Sequence, residues 1–158
     1  MASIRREIRI AAGAAEVWAA VRDFGAVHQR VAPGFLSDCR IEVDGGARVV
    51  TFASGMQARE LLVDLDDAQR RLVWSVVGGR PTHHNASMQI FVDGEGCSRV
   101  VWIADLLPHE LAGPIAGMIE QGLAAMKTNL EGGGGGARTG AASAGAGRSA
   151  PGADASSL

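Results

Sequence analysis

Four side chains in this chain could carry proton chemistry: Glu60, His83, His84 and Asp105. A carboxyl set against an imidazole makes a general acid–base pair, able to move a proton beside a ketone. Two such pairs can be drawn, Glu60 with His84 and Asp105 with His84, and spacing alone leaves their separations open. His83 and His84 are neighbours, and successive residues of a strand point to opposite faces, so the two cannot ligate one metal from a regular strand. Cys39 and Cys97 lack metal-type spacing and read as free thiols of a reduced compartment. No metal and no cofactor is expected. There is no Gly-x-Ser-x-Gly, neither cysteine has a triad context, and no helix start follows Gly78-Gly79, which is therefore not a phosphate loop.

The elements that must position these groups are mostly strands. Glu60 falls in Gln57–Leu65, His84 in His84–Val92 and Asp105 in Ser98–Leu107. Together with Phe35–Val43, Arg48–Ala53 and Arg71–Val77 they form a meander with short Gly- and Asp-rich turns such as Asp44-Gly45-Gly46. Ile4–Ile10 alternates apolar and charged residues and reads as a first, half-buried strand. Val17, Trp18, Val21 and Phe24 then share a helical face over Ala14–Phe24, and Ala26–Val31 reads as a short second helix. From Pro108 to Glu131, Leu111, Ile115, Met118, Ile119, Gly122, Met126 and Leu130 recur at steps of three and four, predicting one long amphipathic helix. Its other positions are unusually small (Ala112, Gly113, Ala116, Gly117, Ala124, Ala125), so a neighbouring surface or ligand can come close. The layout is α+β: a curved seven-stranded antiparallel sheet around a C-terminal helix, two short helices between strands one and two, and a pocket between sheet and helix.

Alternation should say which strand residues face that pocket. In Arg59–Leu65 the apolar set Leu61, Val63 and Leu65 shares one parity, which turns Glu60 outward. In Arg99–Asp105 both parities are apolar. There Asp105 shares parity with Val101 and Ile103 and reads most simply as a charge at the sheet's rim, while Trp102 is left unplaced. Trp18 reads as core. Trp74 fits either a ligand-facing wall or the core.

Composition narrows the partners. The formal charge of −2 has both signs interspersed along 158 residues, which argues against a nucleic-acid-binding surface or a polybasic membrane patch. No apolar run reaches the roughly 18 residues of a membrane span, and the first residues lack the apolar stretch of a signal peptide, so a cytoplasmic protein is expected. Residues 132–158 hold nine Gly, eight Ala and four Ser and are expected to form a disordered tail. The domain is 1–131. Oligomeric state stays open.

The order of elements, one strand, two helices, six strands and a long helix, resembles the helix-grip fold of the START-like (Bet v 1-like, SRPBCC) superfamily, including bacterial polyketide cyclase/dehydrase-like proteins and plant abscisic acid receptors. Val17-Trp18 followed by Val21-Arg22-Asp23-Phe24 is similar to the first-helix signature of these proteins. Arg48-Val49-Val50, Ser54-Gly55, Glu60-Leu61, Leu65-Asp66-Asp67, Ser75-Val76-Val77-Gly78-Gly79 and Asn85 resemble successive pieces of the receptor sheet. The resemblance implies a cavity faced by Phe52, Glu60, Trp74, Val76, Ala86, Met88 and Val101, with Met118 and Gly122 opposite on the helix. Ile103 goes with Val101 by parity, and His84 comes near the pocket mouth. It reverses the patterning of Glu60: a carboxyl turned into an apolar cavity would be suited to act as acid, base or ligand anchor. Three departures separate the chain from the receptors. Val31-Ala32-Pro33-Gly34 carries no lysine for a hormone carboxylate. Met56-Gln57-Ala58-Arg59 is too short for the gate loop. Gly78-Gly79-Arg80-Pro81-Thr82-His83-His84 stands where the latch loop lies, its histidines displaced. The implied function is binding of a small hydrophobic molecule, aromatic or polyketide-like. The alternative is a cyclase or dehydratase using Glu60 with His84 or Asp105.

Overall fold

The computed structural model describes residues 2–132, so the tail expected over 132–158 lies, past Gly132, outside the described residues. The chain runs β1 (Ala2–Ile10), α1 (Ala14–Val21), α2 (Val27–Arg30), β2 (Leu36–Ile41), β3 (Ala47–Phe52), β4 (Gln57–Asp66), β5 (Arg71–Val77), β6 (His83–Val92), β7 (Ser98–Leu107), a 3-10 turn His109–Leu111 and α3 (Ala112–Gly132). The seven strands form one antiparallel sheet in the order β1-β7-β6-β5-β4-β3-β2. This is the expected helix-grip arrangement. Ends shift by a few residues: α1 stops at Val21 rather than Phe24, and α3 starts after a 3-10 turn rather than at Pro108.

The inner face of the sheet follows from the register. Leu62, Trp74, Ala86 and Ala104 are successive cross-strand partners, continued by Ile4 on β1, and partners directly opposite point to the same face. In β4 the register shifts between Leu62 and Asp64, leaving Val63 as a bulged extra residue. Alternation breaks there: Glu60, Leu62 and Leu65 share the inner face, and Val63 is exposed. An uninterrupted period of two across Leu61, Val63 and Leu65 therefore misassigns Glu60.

The end of the sheet near β1 and β7 is filled. Ile10, Val17, Val100 and Met126 are essentially inaccessible and belong to one cluster with Ile4, Ile90, Leu123 and Leu130. The helix α1 is bolted to the β4–β5 turn: Trp18 Nε1 donates to Asp67 Oδ1 at 2.9 Å, and Arg22 grips both oxygens of the same carboxylate at 2.8 and 3.0 Å. The Arg22 guanidinium, then the indole N–H, holds the Asp67 carboxyl below its usual range. Midway along α3, Gly122 permits a close approach: a Cβ there would lie 3.2 Å from Phe35 and 3.3 Å from Trp102. No helix among the described residues is long and apolar enough to cross a membrane.

Candidate functional site

Between β3–β7 and the first half of α3 the sheet and helix do not meet, leaving a cavity of about 320 Å³. That is at the small end of the roughly 300–1,000 Å³ typical of small-molecule sites. Its walls are apolar: Val50, Leu72, Trp74, Val76, Ala86 and Met88 from the strands, with Ile115, Met118, Ile119 and Gly122 from the helix. Two aromatic pairs stand edge to face in the wall, Phe35 with Phe52 at 5.4 Å and Trp74 with Trp102 at 5.5 Å between ring centroids, a favourable geometry for ring quadrupoles.

Gln57, Arg59 and Arg80 also line the cavity, and three further polar groups, Arg48, Glu60 and His84, lie along one cross-strand row. Arg48 on β3 is opposite Glu60 on β4, and Glu60 is opposite Val76 on β5. One position beyond the last β5–β6 partners, Ser75 and Asn85, Val76 faces His84. Arg48 Nε donates to Glu60 Oε2 at 2.7 Å, with the side chains only 5% and 11% exposed. Arg48 Nη1 donates to the Phe24 carbonyl at 2.9 Å, and the guanidinium carbon sits 4.0 Å from the centroid of the Phe24 ring, a cation–π contact. Arg48 thus ties the connection between α1 and α2 to the sheet while neutralising Glu60. Cys39, half-buried nearby, keeps its thiol: burial pushes it up, with the Arg48 charge opposing.

His84 stands about 10 Å from Glu60, two strand spacings across the sheet. Burial, reinforced by the neighbouring charge of His83, lowers its proton affinity below the ordinary 6.5. Near neutral pH it is a neutral imidazole, one nitrogen donating and one accepting. His83 is exposed and points away from the cavity.

Of the expected lining, Phe52, Glu60, Trp74, Val76, His84, Ala86, Met88, Met118 and Gly122 face the cavity. Val101, Ile103 and Asp105 do not, and the expectation for them is corrected. Met88 pairs with Trp102 and Ala86 with Ala104, so the even positions of β7 point inward. Val101 lies opposite Glu7 on the outer face, where Glu7 bridges Arg5 and Arg99, and Asp105 lies opposite Ser3 and Asn85. Both acid–base pairings fail with this geometry. Asp105 is on the wrong face, and Glu60 is bonded to Arg48 with Val76 between it and His84. Nor is Glu60 a lone acid in an apolar wall, since a guanidinium accompanies it.

Sequence reasoning missed Arg48 and Trp102. For Arg48 a signal existed: with Phe52 inward, a period of two along β3 brings Val50 and Arg48 to the same face. Trp102 offered none, because both parities of β7 are apolar. Its indole Nε1 is buried with no hydrogen-bond partner among the described residues. No three His, Cys, Asp or Glu side chains among the described residues converge to hold a metal.

Residues 1–131 match the model of the family described as polyketide cyclase / dehydrase and lipid transport. Among solved structures, an uncharacterised protein from Bacillus thuringiensis superposes with a TM-score of 0.74 at 18% identity, covering 82% of this chain and 98% of that one. A Thermobifida fusca protein gives 0.67 at 29% identity, covering 83% and 91%. Norcoclaurine synthase from Thalictrum flavum gives 0.65 at 19% identity, covering 87% and 95%. None of the curated proteins compared matches the sequence.

Proposed function

The chain belongs to the polyketide cyclase/dehydrase and lipid transport family, and from that premise we propose that it binds a small hydrophobic molecule, aromatic or polyketide-like, between the sheet and α3. The observation that carries this reading is the cavity itself, with mostly apolar and aromatic walls, an Arg48–Glu60–His84 row across its floor, and Gln57, Arg59 and Arg80 also among its lining. Few, fixed polar groups in an apolar hollow orient a ligand without holding it by charge. Binding is favoured over catalysis because the carboxylate is already bonded to Arg48 and lies far from the imidazole.

The test is titration with a neutral fluorescent dye such as Nile red, beside native mass spectrometry of the purified protein for a co-purified molecule. Val76 lies midway along the polar row, so Val76→Phe should fill the cavity and weaken dye binding about tenfold while the circular dichroism spectrum stays the same. Undiminished binding by a folded Val76→Phe protein would sink the reading.

A further inference from the structure

Resting on the binding reading, we propose that the site selects an uncharged oxygenated ring compound, a phenol or an enolised ketone, whose oxygen sits between Arg48 and Glu60. The assigned bonds use Arg48 Nε and Nη1 and Glu60 Oε2. Arg48 Nη2 and Glu60 Oε1 have no partner among the described residues. Neither atom is sealed in: the enclosed, unpartnered polar side-chain atoms among those residues are His28 Nδ1, Ser98 Oγ and Trp102 Nε1. Arg48 and Glu60 are otherwise buried and both line the cavity, and in the proposed complex their open donor and open acceptor turn toward it.

A hydroxyl matches that edge in both senses, donating to Oε1 and accepting from Nη2. A ligand carboxylate against Nη2 would lie beside the Glu60 charge, and an ammonium against Oε1 would lie beside the Arg48 charge. Each adds a desolvated charge to a pair that is already balanced. A purely apolar end would displace water from both atoms and replace none of its bonds. Stability alone does not account for the pair. Apolar residues of similar volume often serve a protein's stability as well as a buried ion pair does, and the Phe24 tether explains Arg48 without explaining the free oxygen of Glu60. His84, two strands away, offers a second neutral donor and acceptor to a ligand oxygen at the other end of a two-ring compound.

The experiment compares 2-naphthol, 2-naphthoate and naphthalene at neutral pH by quenching of tryptophan fluorescence, in wild type and in Glu60→Gln. Wild type should bind 2-naphthol about tenfold or more tighter than the other two, since a site built to bond an oxygen rejects analogues that cannot use it. Glu60→Gln removes the repelling charge and should shift the preference about tenfold toward 2-naphthoate. Tightest binding of 2-naphthoate by wild type overturns the proposal in favour of an anion site. Equal binding of naphthalene and 2-naphthol overturns it by showing that the pair does not touch the ligand. An unchanged preference in Glu60→Gln removes Glu60 from it. Should that variant not fold, the wild-type order decides alone. If none of the three binds to folded wild type, the binding reading fails as well, a result distinct from binding in the wrong order.

Discussion

The two halves of α3 pack against the same sheet and do opposite things. Past Gly122, Leu123, Met126 and Leu130 belong to the buried cluster with Ile10, Val17 and Val100, and none of the three lines the cavity. Before it, Ile115, Met118 and Ile119 look across open space at Trp74, Ala86 and the Arg48–Glu60 pair. The filled half is built from large apolar chains on both sides. In the hollow half, polar Arg48, Glu60 and His84 occupy inward positions, whereas Ile4, Ile10, Ile90 and Val100 do so in the other half. Inward positions that decline to fill the space thus help to keep the cavity open.

The largest effect that bears on this contrast should come from breaking the charge balance of the hollow half. Arg48→Met leaves Glu60 buried without a counter-charge and should cost about 3–5 kcal/mol. Arg48→Met with Glu60→Leu should recover most of that loss in urea denaturation, and failure to recover would show that the Phe24 tether outweighs the pair. Next, the same substitution made in each half should separate them. Met126→Ala, at 1% exposure, should cost about 2–5 kcal/mol by opening a void in close-packed surroundings. Met118→Ala, half-exposed to existing space, should cost less than about 1 kcal/mol while changing dye affinity. Equal losses in thermal melts would erase the distinction. The smallest effect concerns pH. Because the folded imidazole of His84 binds its proton more weakly than the unfolded one, its share of stability is complete above pH 6.5 and declines as pH falls below it. His84→Gln should flatten the melting temperature's dependence on pH in that interval. The Asp67 carboxyl, held low by Arg22 and Trp18, keeps its contribution above the ordinary carboxyl range and loses it in stronger acid.

Much of the fold was legible because local signals agreed: period-two strands, Gly- and Asp-rich turns, and a three–four repeat ending the chain. The cavity lining at Trp74, Ala86 and Met88 was legible only through the family resemblance, in strands that alternate regularly. It was misread where a physical feature leaves no mark in composition. The bulge at Val63 offsets the apolar pattern of β4, so alternation alone turned Glu60 outward. In β7 both faces are apolar, and only pairing with β6 shows that Trp102 rather than Val101 points inward. Arg48 escaped because a charged residue in a strand is ordinarily taken to face water, whereas here its partner lies one strand away.

The supernumerary Val63 has a geometric consequence beyond pattern. Two residues against one force a strand to bend and coil more tightly, and the bulge of β4 falls just past the positions that carry Glu60 and Leu62. The concavity that makes room for a guest thus owes part of its shape to a single inserted residue whose own side chain faces solvent. A lineage could deepen or flatten this bowl by gaining or losing one codon there, with every inward-facing side chain kept in place.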